Sequence, residues 1–129
     1  MFTAEQLKAA HSKVKSGADF PAYMREIKEL GVTHYEAYVS DGRIDYHGND
    51  NYTVQVSERY DPIQIAAQLN VTLFKAELLA HQQGKTDYIT FIRMCAENGI
   101  EKWKIRMDDM TCTYYDLAQN EILTEQIPQ

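Results

Sequence analysis

The chain has 129 residues, 44% hydrophobic and 25% charged, which suits one globular domain with a real core and argues against disorder as the default. Nineteen acidic against thirteen basic side chains leave a formal charge of −6, which argues against a phosphate-tracking surface and so against nucleic acid as main partner. No apolar run approaches the roughly 20 residues that span a bilayer, and Cys95 and Cys112 lack the spacing of a metal knuckle or disulfide framework.

Thr3 and Gln6 have capping-box spacing, with Phe2 and Leu7 at staple positions, predicting a helix from about Ala4 to about Lys15 that ends near Gly17. The opening MFTAEQLKAAHSK lacks the cationic start and apolar stretch of a secretory signal, so a cytoplasmic setting is expected. Asp19, with Pro21 in the first turn, starts a second helix. Its buried face is Phe20, Tyr23, Met24, Ile27 and Leu30, and its stop is Gly31. VTHYEAYV alternates as a strand, and Asp41-Gly42 is a two-residue hairpin signal leading into RIDYH. After the turn GNDN, YTVQVSE makes a third strand. Asp61-Pro62 then predicts the start of a long helix reaching about Gln83, carrying Ile65, Leu69, Leu73, Phe74 and Leu78. Asp87 caps a further helix that stops at Gly99, and EKWKIRM, TCTYYD and EILTEQI close the chain as strands.

Shifting the chain by 68 residues lays Asp19 on Asp87, Tyr23 on Phe91, Arg25 on Arg93 and Gly31 on Gly99. The match continues without a gap through Tyr35 on Trp103, Val39 on Met107, Asp41 on Asp109 and Tyr46 on Tyr114. Such spacing points to an internal duplication of a helix-helix unit followed by three antiparallel strands, over residues 3–58 and 62–127. The expected fold is one α+β domain over residues 1–129, with helices packed on the sheet.

The repeat also sorts the first hairpin into two faces. Tyr35, Ala37, Val39, Ile44 and Tyr46 have apolar counterparts in the second half and belong to the core. The other face holds His34, Glu36, Tyr38, Asp45 and His47, and its counterpart strand offers Lys102, Lys104 and Arg106. A two-residue loop would set Glu36 against His47, Tyr38 against Asp45 and His34 against Asn49. His34, Glu36 and His47 could then form a three-ligand metal set with room for water. The plainer reading is a solvated cross-strand ion pair, and the second half does not repeat the ligands. The acidic and basic faces could also complement one another or flank a groove between halves, a natural ligand position. Tyr35, Tyr46, Tyr52, Tyr60, Tyr114 and Tyr115 are candidate cleft residues or core edges. Cys95 reads as packing, and Arg25 and Arg93 as bridges between equivalent elements.

From FTAEQLKAAHSKVKSGADFPAYMREIKELGVTHYEAYVSDGRIDYHG, and most specifically GVTHYEAYVSDG, the chain resembles a YdfO-like family of small bacterial and prophage proteins. Its members often carry the label "phage envelope protein". The resemblance implies an α+β fold and a prophage-linked origin, with no established activity and no catalytic residues to transfer. The leading expectation is therefore a non-enzymatic protein-binding or interaction module of prophage type, with no cofactor. One alternative is a small-molecule-binding module with a cleft between the two halves. The other is a metal-dependent hydrolase using His34, Glu36 and His47, with Asp45 beside them. Edge strands of short meanders also permit pairing between copies of the chain.

Overall fold

Side-chain caps set the helix starts in the computed structural model, which describes residues 1–15, 17–57 and 60–127. Gln6 N donates to Thr3 Oγ1 at 3.2 Å and Thr3 N to Gln6 Oε1 at 2.9 Å, the reciprocal box that opens α1 (Ala4–His11). This helix ends before the expected Lys15. Lys13 N and Val14 N reach back only three residues, to Ala10 and His11 carbonyls, and Ser12 Oγ donates to Ala9 O at 2.7 Å, so the last turn tightens and stops. Asp19 precedes α2 (Phe20–Leu30) without capping it; its carboxylate instead accepts from Lys15 N at 2.9 Å and pins the connection. Gly31, at φ 109°, ends α2 in the left-handed conformation that a side chain would strain.

The long helix expected from Pro62 begins only at α3 (Val71–Gln82). Upstream amides are spent on other segments: Ile63 N on Ser40 O at 2.7 Å, Ala66 N on Ala96 O at 2.8 Å and Asn70 N on Asn98 O at 3.1 Å. With those donors committed, the helix waits for Asn70, whose side chain accepts from Leu73 N at 3.1 Å. Asp87 caps α4 (Tyr88–Glu97) through Thr90 N at 2.9 Å.

The strands are β1 (His34–Tyr38), β2 (Arg43–His47), β3 (Thr53–Ser57), β4 (Ile100–Arg106), β5 (Thr111–Asp116) and β6 (Glu121–Gln126). Among the described residues they form one six-stranded sheet in the order β3-β2-β1-β4-β5-β6, every neighbouring pair antiparallel. Each meander thus steps outward from the central β1–β4 pair. Asp41-Gly42 is not a two-residue loop. The connection spans residues 39–42, with Gly42 N donating to Tyr38 O at 3.0 Å and Arg43 N to Asp41 Oδ1 at 3.0 Å. His34 therefore faces His47 and Glu36 faces Asp45, a slip of two residues from the expected register. A slip of two preserves the face of every side chain, so the expected core set is buried as predicted.

Tyr35, Ala37, Ile44, Tyr46, Trp103, Ile105, Cys112 and Tyr114 make the inner face and pack against Leu7, Met24, Ile27, Phe74, Leu78, Ile92 and Cys95 of the helices in one core. Each such large side chain contributes about 1.5–3 kcal/mol by leaving water. No described helix is long and apolar enough to cross a membrane.

Candidate functional site

The core is not filled everywhere. Between helices and sheet lies a cavity of about 270 Å³, to which both halves of the chain contribute. His11, Tyr23, Tyr35 and Ile44 come from the first half; Leu78, His81, Tyr88, Phe91, Trp103, Cys112 and Tyr114 come from the second, with Glu125 and Ile127 on and beyond the last strand. The walls are largely aromatic, and the rings hold one another edge-on. The His11 ring stands between Tyr23 at 5.4 Å and Tyr88 at 4.7 Å, and Phe91 meets Trp103 at 5.6 Å. The Tyr23 and Tyr46 hydroxyls hydrogen-bond to each other. Burial pushes the phenols of Tyr23, Tyr35 and Tyr114 up, and pushes the Cys112 thiol up to about 12, so these walls are uncharged near neutral pH.

Polar groups interrupt the aromatic lining, among them His11, His81, Gln82, Glu125 and Gln126. His81, 6% exposed, stacks on Phe91 with ring centroids 4.2 Å apart. Its Nδ1 lies 2.9 Å from Thr86 Oγ1 and 3.2 Å from the Thr86 carbonyl. A carbonyl only accepts, so Nδ1 carries the proton and Nε2 is left as an acceptor. Burial lowers the His81 pKa, with the Thr86 carbonyl and the Asp87 charge opposing it, which keeps the ring neutral. Glu125 sits opposite Cys112 on β6, and its Oε1 accepts from Gln82 Nε2 at 2.9 Å.

The polar hairpin residues lie on the opposite face of the sheet. There β4 runs beside β1, so the acidic and basic strands meet directly: Glu36 faces Lys104, Tyr38 faces Lys102 and His34 faces Arg106. Lys102 Nζ donates to Glu36 Oε2 at 2.7 Å and lies 5.5 Å from the Tyr38 ring and 5.1 Å from the Tyr115 ring. Burial opposes charge on both groups, yet this contact and the neighbouring lysines hold the Glu36 carboxyl below its ordinary value, and Lys102 is raised. Asp45 accepts from Gln55 Nε2 at 3.0 Å and lies 3.6 Å from Arg43 Nε, while the Arg43 guanidinium covers Tyr38 at 4.1 Å.

His34 and His47 are neighbours here, but as stacked rings, 4.3 Å apart and 6° from parallel. His34 Nδ1 lies 3.1 Å from Thr33 Oγ1 and His47 Nδ1 lies 3.2 Å from Thr53 Oγ1, and Glu36 is taken by Lys102. The expected ligand triad is not assembled, and among the described residues no three His, Cys, Asp or Glu side chains are grouped to hold a metal. Lys104 and Arg106 border a broad open depression with Lys28, where Asp108 takes Arg106 at 3.3 Å.

Of the tyrosines expected at a cleft, Tyr35 and Tyr114 line the cavity. Tyr46 supports it from behind through Tyr23, and Tyr115 is on the outer face. Tyr52 donates to Phe2 O at 2.6 Å, and Tyr60 to Val39 O at 2.8 Å. Sequence reasoning missed His11, Tyr23, His81, Tyr88, Trp103 and Glu125 as site residues. The helical ones carried one usable signal: polar or aromatic side chains on faces turned toward the core. Cys95 is fully buried, as its packing role requires, and Arg25 and Arg93 are exposed.

Fold and site together define an α+β protein with a partly open, aromatic-walled cavity between its helices and one face of an open antiparallel sheet. The chain belongs to the family described as protein of unknown function (DUF1398), which it matches over residues 8–126. No curated protein matches it.

Proposed function

We propose that the protein is a small-molecule-binding module whose ligand occupies the cavity between its two halves. The observation that carries this reading is the cavity itself: about 270 Å³ of unfilled space with aromatic walls and few polar groups. Interiors normally pack without such gaps, and a void of about 150 Å³ already accepts benzene. The present volume suits a bicyclic ligand of about ten heavy atoms. The interaction-module reading has less behind it, because the charges of the outer face are largely spent on one another. The test is fragment titration followed through the indole N–H signal of Trp103, the sole tryptophan. Saturable shifts at Trp103, absent when the cavity is narrowed by Leu78→Phe, are expected; shifts that persist in that variant would refute binding in the cavity.

We also infer that the halves descend from one duplicated ααβββ unit. Glu36 faces Lys104 in the sheet and is also its counterpart under the 68-residue shift. The bonds Val39 N to Glu101 O, at 2.8 Å, and Met107 N to Thr33 O, at 2.9 Å, exchange under the same shift. Tyr35 pairs with Tyr46 as Trp103 pairs with Tyr114, and positive φ recurs at Gly31 and Gly99 and at Gly42 and Met110. Correspondence slips by one residue at the third strand, where Tyr46 faces Val54 but Tyr114 faces Leu123. The cavity then lies at the junction of two related units.

A further inference from the structure

The polar inventory of the cavity narrows the ligand, and this inference rests on the binding reading above. Of the cavity's polar lining groups, Gln82 spends its amide N–H on Glu125 and Gln126 spends its own on the Asp109 and Met110 carbonyls, while His81 and Glu125 each present an acceptor. His81 Nε2 has no hydrogen-bond partner among the described residues, and its neighbouring ring atom Cδ2 lies against Gly17, itself part of the cavity lining. Glu125 gives Oε1 to Gln82, and its Oε2 has no partner among the described residues. Among the described residues no lysine or arginine lines the cavity, so an anionic guest would meet a carboxylate and aromatic rings there. A cation meets the reverse: the Glu125 carboxylate, the neutral His81 imidazole acceptor and a lining that includes the aromatic rings of Tyr23, Tyr88 and Trp103.

We propose that the ligand is an arylalkylamine, its planar ring seated among Tyr23, Tyr88, Phe91 and Trp103 and its ammonium donating to Glu125 and His81. The ring fills the apolar volume, and the ammonium satisfies the two acceptors that the fold leaves open. A neutral aryl compound of the same shape would keep the ring contacts and leave both acceptors unmet. An acid of the same shape would add repulsion.

Three indoles of matched size test this by calorimetry and by the Trp103 indole cross-peak: tryptamine, 3-ethylindole and indole-3-propionate. Tryptamine is expected to bind most tightly, with 3-ethylindole weaker by about tenfold, the worth of one charge-assisted hydrogen bond, and indole-3-propionate weakest. Glu125→Gln should weaken tryptamine by a similar factor and leave 3-ethylindole unchanged, while His81→Phe preserves the stack on Phe91 and should reduce only tryptamine. If 3-ethylindole or indole-3-propionate binds as tightly as tryptamine, the amine assignment falls and the cavity reading survives. If none of the three moves the Trp103 signal, both fall.

Discussion

Replacing Gly17 with alanine tests the close approach of this cavity-lining residue to the end of α3. A methyl group built on Gly17 would lie 2.5 Å from the His81 carbonyl oxygen, 2.8 Å from its carbon and 2.8 Å from the ring atom Cδ2. Two of those three atoms are backbone at the end of α3, so the clash cannot be relieved by rotating a side chain. The methyl must push the segment around Gly17 away from α3, or push the last turn of α3 off its place. Overpacking of this kind costs about 1–3 kcal/mol. At roughly 4 °C per kcal/mol for a chain of this size, the midpoint of thermal unfolding should fall by roughly 4–12 °C. Gly48→Ala is the internal control. Its methyl would meet the Phe2 ring at 2.9 Å and the Gly31 carbonyl only at 3.3 Å, so the flexible ring can yield and the loss should be the smaller of the two. Parallel urea titrations separate stability from changes in the unfolded chain, since the slope should be unchanged. A Gly17→Ala protein within about 1 °C of the parent, or one more stable than Gly48→Ala, would show the reasoning to be wrong.

Two further predictions concern charge. His81 is held neutral in the fold, its pKa below the ordinary 6.5, so the unfolded chain binds the extra proton first. Its contribution is complete above pH 6.5 and is lost as pH falls from there toward the folded value; His34 shifts the same way. Urea unfolding between about pH 5 and pH 8 should show that acid limb, and His81→Phe should flatten it; an unchanged limb refutes the assignment. Across the β1–β4 seam, a double-mutant cycle with Glu36→Gln and Lys102→Met should return a coupling of about 0.5–1 kcal/mol, with both side chains only partly exposed. The coupling should shrink in high salt, and the exposed Lys13–Glu26 pair should give almost none.

Much of this architecture is legible in the sequence, and the reasons differ by element. The faces of the first hairpin follow from alternation together with the apolar match between the two halves, and they survive a wrong loop length because the error is an even number of residues. Caps at Thr3 and Asp87 and the stop at Gly31 were readable because each is satisfied within a few residues. Pro62 misled for the opposite reason: the amides of the following segment bond to Ser40, Ala96 and Asn98, partners that local sequence does not reveal. The polar hairpin attracted attention because its residues are close in sequence. The cavity is walled by residues scattered from His11 to Ile127, and a void is a property of how side chains fail to fill space. No spacing rule reports it.

The pairing of Glu36 with Lys104 has a consequence for how such a sheet could arise. Half of this chain, alone, would leave the β1 edge unpaired, and two identical copies could close it only by placing residue 36 of one against residue 36 of the other. At a two-fold axis a residue meets itself, so a glutamate there would face a glutamate and a lysine a lysine, at a cost in either case. Under the proposed duplication, joining the copies in one chain removes that restriction. The two positions can then change separately, and opposite charges become available at the one place where symmetry forbids them.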